Sequence, residues 1–243
     1  MTIEILELEE MDLRGGVLID GFPTVGLVSS IVANYIISKR GLRLAGLVDS
    51  PDFPSVAVIL GSEVLTPMRI YGGRVGDKPM AVLVSDFTPP PPLVRPVGGR
   101  ILEWAREKGV DLIVSPEGVV SASEEVRVYG VASTDRVRGI LKAYSDKVQS
   151  FGEGLISGMA GYLLLEGRKR GLDVMVLLAD ANPNLPDARA AARILEVLNL
   201  MLNMGIELEP LLKEAQAIEA KLSEIKKMAE RVKKDKYRVS IYG

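Results

Sequence analysis

Histidine and cysteine are both absent from this 243-residue chain, and their absence limits the chemistry before any motif is considered. Ser-His-Asp and Cys-His nucleophilic sites need an imidazole, and the usual zinc sets need imidazole or thiolate. Carboxylates and lysines remain. Asp86, Glu117 and Asp180 each follow or end an apolar run that reads as a strand. At the carboxyl ends of strands in an open α/β sheet, such acids could hold Mg²⁺ or trade a proton. Helix capping and loop solvation account for the same residues without a ligand, and that is the preferred reading.

Two glycine-containing stretches are the next candidates. Asp20-Gly21-Phe22-Pro23-Thr24-Val25-Gly26 lies between a strand and a helix, where backbone N–H groups can meet an anion. It lacks the lysine and spacing of a P-loop and is not a dinucleotide fingerprint. Its glycines are read as serving a tight turn and close helix–sheet packing. In Phe151–Gly161 the glycines at 154, 158 and 161 are expected to flatten one face of a helix over 153–170. No basic residue lies nearby in sequence to make it a phosphate cradle.

The third candidate is the last stretch, Lys236-Tyr237-Arg238-Val239-Ser240-Ile241-Tyr242-Gly243. A terminal Ile-Tyr-Gly is chemically a ligand. Ile241 and Tyr242 offer apolar area, the phenol needs a polar partner, and the Gly243 carboxylate asks for a Lys or Arg. The competing reading is a half-buried strand, because Tyr237, Val239 and Ile241 alternate with Arg238, Ser240 and Tyr242.

The elements that would position these residues alternate. Apolar runs at 3–8, 17–20, 45–48, 56–60, 63–70, 80–85, 110–115, 126–131 and 174–179 read as strands, with connections at Gly61-Ser62 and Gly72–Pro79. Helices are expected from Pro23 or Thr24 to Gly41, over 94–108, from a Ser133 or Thr134 cap to about Ala143, over 153–170 and over 187–203. Thr88–Pro92 reads as an extended proline run. Continuous apolar strands interleaved with helices predict a mostly parallel sheet covered on both faces, an α/β class with three α/β/α layers. Past Gly205 the pattern turns charged and heptad-like. Leu208, Leu211, Ala215, Ile218, Leu222, Ile225, Ala229 and Val232 mark the seam of a helical arm, with Glu209–Lys213 and Glu230–Lys234 as i,i+4 pairs. The domain is therefore expected to span 1–203 and the arm and tail 204–243.

Apolar residues make up 47%, charged residues 26%, and the net charge is −2. No basic surplus favours nucleic acid. Met1–Asp12 lacks the apolar core of a signal peptide, and no run reaches the length of a membrane span. Nucleic-acid and membrane partners are not expected, and the cytoplasm is the default location.

Gly21-Phe22-Pro23-Thr24-Val25-Gly26-Leu27-Val28, followed by Ala33-Asn34-Tyr35, resembles the opening signature of the proteasome assembly chaperone 2 family in its archaeal form. Three later stretches resemble it as well: Val128-Tyr129-Gly130-Val131-Ala132, Ile156–Gly161 and Pro186-Asp187-Ala188-Arg189-Ala190-Ala191. Together they cover about residues 3–203. The resemblance implies a three-layer domain similar to nucleoside phosphorylases, without known catalysis in its chaperone members. It implies a homo-oligomer of four or five copies, with C-terminal helices that present docking tails to the α-subunits of the proteasome core particle. A paralogous chaperone is a further partner it implies. Ile241-Tyr242-Gly243 falls on the hydrophobic-Tyr-any docking motif residue for residue. Members have also been described as ATP-grasp enzymes, but no lysine-rich nucleotide pattern occurs here. The expectation is a non-enzymatic assembly chaperone or activator-like protein without cofactor or metal. The alternative is a nucleoside- or nucleotide-related transferase or ligase with its site near Gly21–Gly26, Asp86 and Glu117.

Overall fold

The computed structural model of the chain describes residues 2–121 and 125–213. The chain divides into two compact units, residues 1–206 and 207–243. The first is an α/β domain. Its nine-stranded sheet runs in the order β1-β3-β6-β7-β2-β8-β11-β9-β10. These strands are β1 (Glu4–Glu7), β2 (Val17–Gly21), β3 (Arg43–Asp49), β6 (Met68–Val75), β7 (Lys78–Ser85), β8 (Leu112–Val120), β9 (Val128–Ala132), β10 (Gln149–Ser150) and β11 (Val174–Ala181). A separate hairpin pairs β4 (Val58–Leu60) with β5 (Glu63–Leu65).

The sheet is mixed, with its parallel part at the centre. β7, β2, β8 and β11 are parallel neighbours, and β9 pairs parallel with β10. The β1, β3, β6, β7 flank and the β11–β9 pairing are antiparallel. The buried central strands are the continuous apolar runs that the sequence shows. The antiparallel flank has a local cause. The true turn is the two-residue Gly76-Asp77 loop, with Val75 opposite Lys78 and Gly76 at φ 58°. Gly72 and Gly73, expected to open a connection, lie inside β6. A Cβ on Gly72 would meet the Met11 Sδ at 2.9 Å, so glycine here answers a close approach within the sheet. The single strand expected over 63–70 is split at Thr66-Pro67 into β5 and β6.

Among the described residues five α-helices cover the domain: α1 (Val28–Arg40), α2 (Pro91–Glu107), α3 (Asp135–Ala143), α4 (Gly158–Arg170) and α5 (Ala188–Leu202). α1 and α5 pack together, as do α2 and α4. Leu18 and Ile113 from the sheet bury with Val97, Ile101, Met159 and Leu163 beneath α2 and α4. Caps explain the boundaries. Gly41 closes α1 at φ 58°, the Thr134 hydroxyl accepts from Val137 N at the start of α3, and Asp187 accepts from Ala190 N at the start of α5. α2 starts at Pro91, three residues before the expectation, because proline at the first helical positions gives up an N–H that has no helical partner anyway. α4 starts at Gly158, not at Glu153. Gly152 and Gly158 take φ 68° and 69°, and the stretch 151–157 is irregular, so Gly154 lies outside the helix. The flat glycine face expected over 154–161 is therefore not formed. Gly161 instead lets Ile156 fold back, since a Cβ there would meet the Ile156 carbonyl at 2.2 Å.

Asn199 fixes the end of the first unit. Its side chain donates to Ile206 O (2.6 Å) and accepts from Ile206 N (3.0 Å). These bonds tie residues 204–206 back to α5, so the unit ends three residues past the expected boundary. In the second unit, residues 209–213 are helical, and Glu209 pairs with Lys213 at 2.7 Å as i,i+4 spacing suggests. The seam from Ala215 to Val232, the Glu230–Lys234 pair and the tail Ile241-Tyr242-Gly243 lie outside the described residues.

Candidate functional site

The motif Gly21–Gly26 is built for packing. A Cβ on Gly21 would meet the Ala33 Cβ at 2.5 Å, so α1 rests directly on β2. Gly118 of β8 would clash with the Val25 carbonyl at 2.1 Å, which brings the turn down onto the sheet edge. Gly26 takes φ 62° and its carbonyl accepts from Asp187 N (2.8 Å), joining the turn to the start of α5. The Thr24 hydroxyl accepts from Ser29 N (3.3 Å), and the Ser29 hydroxyl donates to Asp20 O (3.1 Å). The glycines and the carbonyl and hydroxyl acceptors of this turn hold three elements together.

The acids singled out by sequence are not gathered at one point. Asp86, just past β7, accepts from the buried guanidinium of Arg69 at 2.6 Å. Asp180 in β11 is 6% exposed and accepts from Arg127 Nε at 3.0 Å and from Arg127 N at 3.3 Å. Among the described residues, no group of three acids is arranged to hold a metal ion.

Glu117 has a different neighbour, Asp20, which the sequence places at the end of the 17–20 strand and the start of the turn motif but not among the candidate acids. Asp20 is the fourth residue of β2, and every residue of that strand is buried. The last paired residues of β2 and β8 are Ile19 and Val114. One step further come Asp20 and Ser115, and two more along β8 comes Glu117 on the same face. Asp20 is 1% exposed and Ser115 is fully buried; neither Asp20 oxygen nor the Ser115 hydroxyl makes a well-formed hydrogen bond. Burial pushes the Asp20 carboxyl up to about 7, against a smaller downward pull from the nearby Ser115 hydroxyl. Burial first, and then the charge of Asp20, push Glu117 well above the usual carboxylate range. The sequence signal was available: Val17-Leu18-Ile19-Asp20 and Ile113-Val114-Ser115 each carry a polar group at the end of an apolar run.

Glu117 opens into a crevice of about 270 Å³ at the carboxyl ends of the central strands. Phe22, Val94, Met159 and Leu178 are among its walls, and Thr88, Pro89 and Leu155 among its remaining lining. A second, larger concavity of about 1050 Å³ lies between α3, β9 and α4, with Leu141, Val148 and Leu164 beside Arg138, Lys142 and Arg168.

Fold and site together define a three-layer α/β domain with a crevice at the switch region of its sheet and no assembled catalytic set among the described residues. The chain belongs to the PAC2 family, whose model matches residues 18–226. It is 31% identical over 224 residues to the uncharacterized protein MJ0106 of Methanocaldococcus jannaschii, covering 92% of this chain and 91% of the relative. PbaA of Pyrococcus furiosus, an archaeal homolog of proteasome-assembly chaperone, superposes with a TM-score of 0.83 at 30% identity, covering 97% of this chain and 96% of PbaA. PbaB of Pyrococcus furiosus, an archaeal proteasome activator, shares the fold with a TM-score of 0.82 at 24% identity over 92% and 98% of the two chains.

Proposed function

We propose that this protein is a non-enzymatic proteasome assembly chaperone or activator that oligomerises and docks its C-terminal residues on the α-ring of the proteasome core. The likeness to PbaA over nearly the whole of both chains carries this reading. Ile241, Tyr242 and Gly243 supply the chemistry of the contact: an aliphatic side chain for an apolar slot, a phenol to pack and hydrogen-bond, and a carboxylate for a pocket lysine or arginine. Several tethered copies of so small a ligand gain orders of magnitude in avidity over one. Such a partner places the protein in the cytoplasm, and no helix among the described residues is long and apolar enough to cross a membrane.

The β4–β5 hairpin supports oligomerisation. Ile59 and Val64 stand opposite each other, 60% and 69% exposed, with Val56 and Leu60 also exposed. A two-stranded hairpin is marginal in water by itself, and contiguous apolar side chains favour being covered. A second copy of this chain is the occupant the oligomer reading supplies. The transferase or ligase alternative is weaker, because, of its two acids, Asp86 is engaged by Arg69, which leaves Glu117 as the one acid it could use.

The test is a pull-down of proteasome core particle. Tyr242→Ala is expected to lower capture at least about tenfold. Appending one alanine after Gly243, which moves the carboxylate by about 3.3–3.6 Å, is expected to do nearly the same. Neither change should move the melting temperature by more than about two degrees. Unaltered capture by the extended chain overturns the docking reading.

A further inference from the structure

The crevice above Glu117 has a charge problem that nothing in its walls solves. Glu117 is the only titratable residue among its described lining. Behind it, on the same sheet face, lies Asp20, and the Ser115 hydroxyl stands near both acids; neither Asp20 oxygen nor this hydroxyl makes a well-formed hydrogen bond. Buried polar groups in native proteins are nearly always satisfied, so three such atoms around one spot call for a missing partner. The walls are apolar, from Phe22, Val94, Met159 and Leu178. The crevice lies outside the carboxyl ends of β2 and β8, where open α/β sheets take ligands. Its volume of about 270 Å³ is at the small end for ligand pockets.

We propose that this crevice binds a small organic cation, a primary ammonium or guanidinium on a short apolar stem, with the charge on Glu117 and the stem against Phe22, Val94, Met159 and Leu178. An acid floor without a facing lysine or arginine selects a cation over an anion. N–H donors complete the hydrogen bonding that the carboxyls lack, and the apolar walls reward an alkyl stem that a bare metal ion does not have. Binding brings a positive charge to carboxyls whose protonated form burial favours, so proton release accompanies ligand entry. The described lining of the site comes wholly from the first unit. It gives the domain a small-molecule input.

The experiment is calorimetric titration of the full chain with n-butylamine and agmatine, with n-butanol and butyrate as neutral and anionic counterparts. Both amines are expected to bind, and the two counterparts are not. The Kd for n-butylamine should fall as pH rises, by at most about tenfold per pH unit, the limiting slope for one proton displaced. Glu117→Gln should abolish binding and the slope. Val94→Trp, which fills the crevice and leaves both acids in place, should abolish binding as well, with retained folding checked by thermal melts. Absence of amine binding up to about 10 mM, tighter binding of butyrate, or unchanged binding in Glu117→Gln overturns the proposal.

Discussion

Asp86 and Asp180 stand near the ends of their strands beside an arginine, whereas Asp20 and Glu117 stand near the ends of theirs beside one another. All four occupy the same edge of one sheet. Asp180 is almost as buried as Asp20, yet it accepts two hydrogen bonds from Arg127, while neither oxygen of Asp20 has a partner. Burial alone therefore does not decide what a carboxylate does. A paired acid is part of the scaffold. An unpaired buried acid stays partly protonated and is left available to whatever reaches it.

The comparison breaks most visibly when a paired acid is made to resemble an unpaired one. Arg127→Ala leaves Asp180 buried with one backbone N–H, at 3.3 Å, as the remaining bond from residue 127. A clear loss of stability is expected in urea unfolding at pH 7, smaller than the cost of stripping a fully buried pair because Arg127 is itself 42% exposed. Adding Asp180→Asn should recover much of that loss, because it removes the stranded charge.

The reverse change should have the opposite sign. Asp20→Asn is expected to stabilise the domain by about 1–2 kcal/mol at pH 8 and by little at pH 5, the stranded amide offsetting part of the gain. The sign follows from linkage. The folded-state pKa of Asp20 is raised from 3.8 to about 7, so its contribution to stability is fully present below about pH 4 and is lost as pH rises through 7. Glu117 acts in the same direction. Thermal melts of the unaltered chain should fall between pH 5 and 8, and Asp20→Asn should flatten most of that slope. An equal slope in the variant would mean that Asp20 is not the group titrating.

The same contrast shows how much the sequence disclosed. The α/β class, the central strands and the caps at Gly41 and Thr134 were legible, because apolar runs and capping residues are local signals. The antiparallel flank was not. Gly72-Gly73 and Gly76-Asp77 both look like turns in sequence, and only the packing of Met11 against Gly72 and the pairing across β7 decide between them. The α4 boundary failed for a related reason: Gly154, Gly158 and Gly161 have helical spacing, but Gly158 takes a left-handed φ. Of the site, Glu117 was picked out as a candidate acid, whereas Asp20 was placed at the end of the 17–20 strand and was not counted among the candidate acids. Its burial depends on β8 continuing past Ser115 alongside it, which is information about pairing and not about composition.

The smallest effect is expected at Asp86, and it tests whether charge or hydrogen bonding holds the paired acids in place. Asp86→Asn keeps an oxygen at the position that now accepts from the Arg69 guanidinium at 2.6 Å and removes only the charge. Arg69 also donates to the Thr66 carbonyl at 2.7 Å, so the guanidinium retains a partner whatever Asp86 becomes. Asp86 is 45% exposed, and at that exposure solvent screens most of the attraction. The expected loss is therefore about 0.5–1 kcal/mol in low salt, falling further as salt is raised to about 1 M. Asp86→Ala, which removes the acceptor as well, should cost more and should depend less on salt, because the lost hydrogen bond is short-range and unscreened. If Asn and Ala cost the same, charge is what matters at this pair. If Asn costs nothing at any salt concentration, the hydrogen bond suffices, and the difference between Asp86 and Asp20 reduces to the presence of a donor.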